Sequence, residues 1–176
     1  MSYFPKVERW LIPKSALSSS FREMALDGVC GNEGIALWLG RRIGGRADIT
    51  HVVALRGPGV IRKPNLLRIS DDLMNDVTDL AIEHSVSLVG QIHSHGTGYG
   101  INLSPTDRMY GISVPYYLSL VAPHFGSRPK TPIGKCGVHV FEPGGAGFRR
   151  LPPDEANRRL EVISGPATPV LLVGTE

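Results

Sequence analysis

The sequence predicts a single mixed α/β domain in which apolar strands alternate with amphipathic helices. Three observations carry this. Strand-like runs recur at 7–12, 34–43, 49–55, 86–95, 116–122 and 136–141, with helical spacing at 15–27 and 70–84 between them. Some neighbouring strands are joined by turns too short for a crossover, so the sheet should be mixed and not all parallel. The 176 residues, 41% of them hydrophobic, can bury one core without disulfides or a structural metal.

Val7 to Ile12 reads as the first strand, closed by Pro13. Ser15 to Asp27 has helical spacing, with Leu17, Phe21 and Ala25 near one face and Gly28 past the end. Gly34 to Ile43 is a dense apolar run broken by Gly44-Gly45. That pair can take the positive φ of a tight turn, which makes Ile49 to Leu55 a hairpin partner. Residues 57–65 read as loop and Leu66 to Ile69 as a short strand. Ser70 caps a helix reaching about His84. Leu73, Val77 and Leu80 form its buried stripe, and Asp72, Asp76, Asp79 and Glu83 its acidic outer face.

Val86 to His95 reads as a strand, with Leu88, Gly90 and Ile92 facing one layer and Val89, Gln91, His93 and His95 the other. Ser104-Pro105-Thr106-Asp107 is a helix start: a serine at the N-cap, proline in the first turn and an acid at the third position. Tyr116 to Ala122 and Cys136 to Phe141 are further strands, and Pro152-Pro153-Asp154 opens a helix to about Val162. No internal repeat or second domain is visible. Residues 1–163 are expected to form one domain, and 164–176 a tail, irregular apart from Val170 to Val173.

A net charge of +3 is mild, and 14 of the 19 basic residues are arginine. The pairs Arg41/Arg42, Arg149/Arg150 and Arg158/Arg159 lack the interleaved aromatics of a single-strand nucleic-acid platform, which argues against nucleic acid and for solvated surface. No apolar run approaches the roughly 18 residues that cross a bilayer, and the first residues lack the order of a secretory signal. Cys30 and Cys136 are far apart, so no disulfide framework and a reducing cytoplasm are expected.

The stretch from Gln91 to Arg108 carries the chemistry. His93 and His95 are two apart, so on a strand both imidazoles leave the same face. Gly96, Gly98 and Gly100 let the chain double back and bring Asp107 towards them. Two neutral imidazoles and a carboxylate form a three-ligand set for one Zn²⁺, with the fourth tetrahedral position left for water. Such a water needs a base, and Glu33, at the start of the apolar run Glu-Gly-Ile-Ala-Leu-Trp-Leu-Gly, is the candidate. Taken singly, each feature has a plainer account: a surface or core histidine pair, a helix cap, a solvated carboxylate at a strand end. Their conjunction points to a metallohydrolase.

Glu33, His93-Ser94-His95, Ser104 and Asp107, in this order and spacing, resemble the JAMM (MPN-plus) metalloprotease family. The resemblance spans roughly Val7 to Glu142 and includes the runs Glu-Gly-Ile-Ala-Leu-Trp-Leu-Gly and Val-Gly-Gln-Ile-His-Ser-His. Ile92 and Gly96 stand where the family often has an aromatic and a proline. The resemblance implies a curved mixed sheet flanked by helices in a three-layer, cytidine-deaminase-like architecture. It assigns His93, His95 and Asp107 to zinc, Glu33 to proton transfer, and Ser104 to a hydrogen bond on the developing oxyanion. It further implies hydrolysis of a peptide or isopeptide bond after the C-terminal glycine of a ubiquitin-like protein. Compact relatives accompany E1-like and E2-like proteins, some in antiphage defence operons. A peptidase acting on small peptides or on a sulfur-carrier conjugate would use the same site. A non-catalytic scaffold would normally lack the ligands, and a DNA-repair-associated branch draws little support from the scattered arginines. His51, His84, His124 and His139 have no motif around them, and neither cysteine is expected to be a ligand.

Overall fold

The computed structural model describes residues 4–145 and 147–175. Strand β1 (Arg9–Pro13) runs directly into helix α1 (Lys14–Gly28), followed by the hairpin β2 (Ile35–Ile43) and β3 (Arg46–Leu55). A small hairpin, β4 (Val60–Lys63) and β5 (Leu66–Ile69), leads to helix α2 (Asp71–Glu83) and strand β6 (Ser87–Ser94). Helix α3 (Pro105–Tyr110), strands β7 (Leu118–Ala122), β8 (Gly137–Glu142) and β9 (Gly147–Arg150), helix α4 (Pro153–Arg159) and strands β10 (Leu160–Ile163) and β11 (Val170–Val173) complete the order.

Nine strands form one mixed sheet in the order β10-β1-β3-β2-β6-β7-β8-β9. The free side of β3 is shared: β1 pairs with Arg46 to Asp48 and β11 with Val52 to Leu55, both in parallel. Gly44 and Gly45 both take positive φ, 55° and 78°, as the two-residue hairpin between β2 and β3 requires. One face of the sheet packs Trp38, Ile92, Leu118 and Leu120 against Phe21 and Met24 of α1 and Ala156 of α4. The other packs Leu37, Leu39, Val53 and Leu55 against Leu73, Val77 and Ala81 of α2, with Leu67 and Ile69 of β5 at the margin. The sheet thus has helices on both sides.

Several expected details shift. The buried stripe of α1 is Ala16, Ser20, Phe21 and Met24, with Leu17 and Ala25 only partly covered. Ser20 can be buried because its hydroxyl donates to the Ala16 carbonyl (2.7 Å) and accepts from Trp38 Nε1 (2.9 Å). Residues 57–65, read as loop, contain β4, a strand that pairs with β5. The helix expected to reach Val162 ends at Arg159, and the chain turns into β10 beside β1. Strand β9 was not foreseen.

The alternation along β6 also breaks once. A register shift between its pairs with Trp38 and Leu39 moves Val89 to the face of Ile92, and Leu88 packs on the opposite side of the sheet. Residues 164–176, set apart as a tail, rejoin the sheet at β11. Ser15 holds the approach, bonded to Thr168 through its hydroxyl (2.7 Å) and the Thr168 amide (2.9 Å). No helix among the described residues is long and apolar enough to cross a membrane.

Candidate metal centre

His93 lies in β6, between Ile35 of β2 and Val121 of β7. His95 lies one residue beyond the strand but keeps its line, because its amide donates to the Ala122 carbonyl (2.8 Å). Both imidazoles are buried, His93 1% and His95 4% exposed. Gly98 and Gly100 adopt φ of 88° and 73°, the left-handed conformation in which a side chain is strained, and the chain returns through Leu103 to α3.

At the start of α3, Ser104 and Asp107 form a reciprocal capping box. The Asp107 amide donates to Ser104 Oγ (3.0 Å), and the Ser104 amide donates to Asp107 Oδ2 (2.7 Å). The cap therefore fixes the carboxylate against the histidines. His95 Nε2 is 3.0 Å from Asp107 Oδ2, and His93 Nε2 is 3.6 Å from Oδ1 and 3.3 Å from His95 Nε2. One ligand atom from each of the three residues can be chosen so that all lie within 4.8 Å of one another.

This geometry tests the fit to a cation. His95 Nδ1 is 3.0 Å from the Gly100 carbonyl, which only accepts, so Nδ1 carries the proton. In neutral His95 the Nε2 lone pair then faces a carboxylate and a second imidazole, an arrangement that calls for a positive charge between them. Burial pulls the His95 pKa down, but the hydrogen bond and charge of Asp107 outweigh it and raise the pKa. For Asp107, burial acts to raise the pKa and the hydrogen bonds to His93 and His95 dominate, holding the carboxyl well below its usual range. Two imidazole nitrogens and one anionic oxygen within 4.8 Å of one another form a donor set that could hold a metal ion.

Glu33 is placed by backbone pairing at the ends of two strands. Its amide donates to the Lys63 carbonyl (3.1 Å), and the next residue, Gly34, exchanges hydrogen bonds with Ser94, its amide to Ser94 Oγ and the Ser94 amide to its carbonyl (both 3.0 Å). Its side chain makes no hydrogen bond or ion pair among the described residues, although the residue is only 5% exposed. Burial pushes its pKa up to about 7; His95 opposes this and the charge of Asp107 adds to it. A carboxyl poised near neutrality beside such a donor set can both take and return a proton.

The five residues picked from the sequence are thus brought into one neighbourhood, with Ser104 attached through Asp107. Sequence reasoning missed the support beneath His93. Gln91 Nε2 lies 3.4 Å from His93 Nδ1 and 3.2 Å from Ser119 Oγ, while Tyr117 donates its hydroxyl to Gln91 Oε1 (3.1 Å). Gln91, Ser119 and Tyr117 are all buried. A glutamine in phase with two histidines on a buried strand was a usable signal; Tyr117 and Ser119 come from β7, and no local pattern reveals that pairing.

His139 is fully buried and accepts from the Leu103 amide (3.4 Å), anchoring the returning loop. Burial pushes its pKa down to about 4, which keeps it neutral. His51 and His84 face each other with ring centroids 4.8 Å apart. Cys30 and Cys136 are both free. A water-sized cavity of about 30 Å³ lies beside His93 and Asp107, lined by Ile35, Leu67, Ile69, Gln91, Tyr110 and Ile112.

No protein-family model matches the chain. No curated protein matches it in sequence either. The fold is shared with solved structures. Protein DSY2949 from Desulfitobacterium hafniense aligns with a TM-score of 0.63 at 16% identity, covering 89% of this chain and 94% of that one. A protein from Salinibacter ruber aligns with a TM-score of 0.51 at 17% identity, covering 80% and 88%. At these identities the likeness shows the mixed α/β fold alone.

Proposed function

We propose that the protein is a zinc-dependent isopeptidase of the JAMM (MPN-plus) type, cleaving the bond that follows the C-terminal glycine of a ubiquitin-like protein. The observation that carries the reading is the convergence of His93, His95 and Asp107 within 4.8 Å beside a buried, unpaired Glu33. Helices on both faces of a mixed sheet support the three-layer JAMM/MPN architecture that the motif implies. An intact donor set favours catalysis over a scaffold role.

His93, His95 and Asp107 would hold Zn²⁺, which when bound supplies Lewis acidity to polarise the scissile carbonyl and acidify water. Glu33, with a pKa pushed up to about 7, takes a proton at its carboxylate and returns it to the leaving amine. Ser104 Oγ accepts from the Asp107 amide, so its hydroxyl hydrogen is free to donate to the carbonyl oxygen as charge develops there. Gln91 holds the His93 ring from behind. The cavity beside His93 and Asp107 is only water-sized, which supports a residue without a side chain at the cleavage position.

The test is incubation with ubiquitin-like fusions, with and without a chelator, read by mass. The expected result is cleavage after the terminal glycine by the zinc-loaded protein, none after chelation, and none by Glu33→Gln, which should still bind metal. Turnover near that of the unaltered chain in Glu33→Gln, or a purified protein that takes up no metal, overturns the reading. E1-like and E2-like proteins are the expected pathway partners and the cytoplasm the expected setting.

A further inference from the structure

A second concave surface adjoins the candidate centre and has no part in the chemistry above. The chain between β7 and β8 encloses a pocket of about 510 Å³ lined by Pro123, His124, Arg128, Lys130, Thr131 and Lys135. Arg128, Lys130 and Lys135 are exposed and make no ion pair among the described residues. Elsewhere Arg9, Arg46, Arg56, Arg62, Arg149 and Arg159 are each matched to a carboxylate, and exposed cations without an ion pair, such as Lys14, Arg22 and Arg158, also occur, but in this loop three of them line one pocket. The sequence explains the imbalance: from Arg108 to Phe141 there is no aspartate or glutamate. Like charges gathered without a counter-charge raise the energy of the free protein, and an anionic partner relieves that.

The pocket wall is ordered and tied to the metal-site loop. Thr131 Oγ1 donates to the Arg128 carbonyl (2.7 Å), Ser127 Oγ to the His124 carbonyl (2.7 Å), and the Lys135 amide to the Pro132 carbonyl (2.9 Å). The Phe125 amide donates to the carbonyl of His95 itself (2.7 Å), and His124 Nδ1 lies 3.3 Å from Thr97 Oγ1. His124, Phe125 and Gly126 all take left-handed backbone, φ 57°, 55° and 67°, a strained run for the two residues with side chains. A Cβ added at Gly96 would lie 2.6 Å from the Phe125 ring, so any side chain there requires this same segment to shift.

We propose that this pocket binds an acidic segment of the protein on which the enzyme acts, with carboxylates meeting Arg128, Lys130 and Lys135. That the partner is a substrate rests on the proposed hydrolase function; the binding does not. A nucleic-acid occupant is disfavoured because the cations cluster around one concavity and no Phe, Tyr or Trp lines it for base stacking.

The probe is a fluorescein-labelled Asp/Glu peptide, with its Asn/Gln counterpart as control, titrated with full-length protein and read by anisotropy. The Asp/Glu peptide should bind and the Asn/Gln peptide should not, with affinity falling as salt rises from about 50 mM to about 300 mM. Arg128→Ala/Lys130→Ala/Lys135→Ala should weaken binding by about tenfold or more. Lys14→Ala/Arg22→Ala/Arg158→Ala removes the same charge from exposed positions elsewhere and should change it less than twofold. Equal losses in the two triple variants, absence of binding, or stronger pocket-dependent binding of a single-stranded oligonucleotide or of inorganic phosphate overturns the proposal. Chelator-treated protein should bind the peptide as well as untreated protein, so loss of the hydrolase reading would leave this result standing. The thermal midpoint of each variant confirms folding, and the single Lys130→Glu variant provides a second test.

Discussion

Glu33→Gln should make the metal-free protein more stable at neutral and alkaline pH, and the structure sets the size of the gain. Burial raises the pKa of this carboxyl from its ordinary 4.5 to about 7. Between those values the folded state holds a proton that the unfolded state has released. Stability contributed by the neutral form is therefore full below about pH 4.5 and lost as pH rises through about 7. At about 1.4 kcal/mol for each tenfold change in acidity, the ionised carboxylate costs the fold about 3 kcal/mol at pH 8. Glutamine has the shape of the protonated acid and carries no charge, so it avoids this penalty. In urea denaturation of chelator-treated protein the variant should match the parent near pH 4 and exceed it by about 3 kcal/mol at pH 8. For a chain of this length that corresponds to a thermal midpoint higher by about 6–12 °C. Equal stability at pH 8, or the same pH dependence in both proteins, would refute the claim that Glu33 is ionised at a cost.

Two further outcomes follow from the same neighbourhood. Gln91→Leu should lower zinc affinity about 10–100-fold by removing the polar group behind His93, whereas Gln91→Glu, which puts a carboxylate oxygen in place of the Nε2 amide and can accept from a protonated Nδ1, should retain it. Competition with a chromophoric chelator measures both, and unchanged affinity in the leucine variant would remove Gln91 from the centre. Ser104→Ala should cost about 1 kcal/mol of stability through the lost cap, but about 10²–10³ in turnover. A turnover within twofold of the parent would confine Ser104 to capping.

The candidate site was more legible than the fold that holds it. His93, His95, Ser104 and Asp107 lie within one short stretch, and their roles follow from strand phase, loop glycines and a capping pattern that are all local. Glu33 was legible because a carboxylate opens a strongly apolar strand. What escaped was non-local. The bulge that moves Val89 depends on where β6 meets β2, and the burial of Ser20 depends on a Trp38 ring eighteen positions away. β4 and β9 are short and flanked by glycine and proline, so their strand character comes from pairing more than from periodicity. The unmatched cations at Arg128, Lys130 and Lys135 were visible as letters, but their convergence on one concavity required the backbone.

The divided flank of β3 has a consequence for how the chain is made. Its neighbour along Arg46 to Asp48 precedes it in synthesis, but the neighbour along Val52 to Leu55 is translated more than a hundred residues later. Until that segment emerges, a short apolar stretch of backbone presents unclaimed amides and carbonyls, the kind of edge on which nascent chains adhere to one another. The interval before β11 docks is therefore when a helper that shields β3 would do most to protect the yield of native protein.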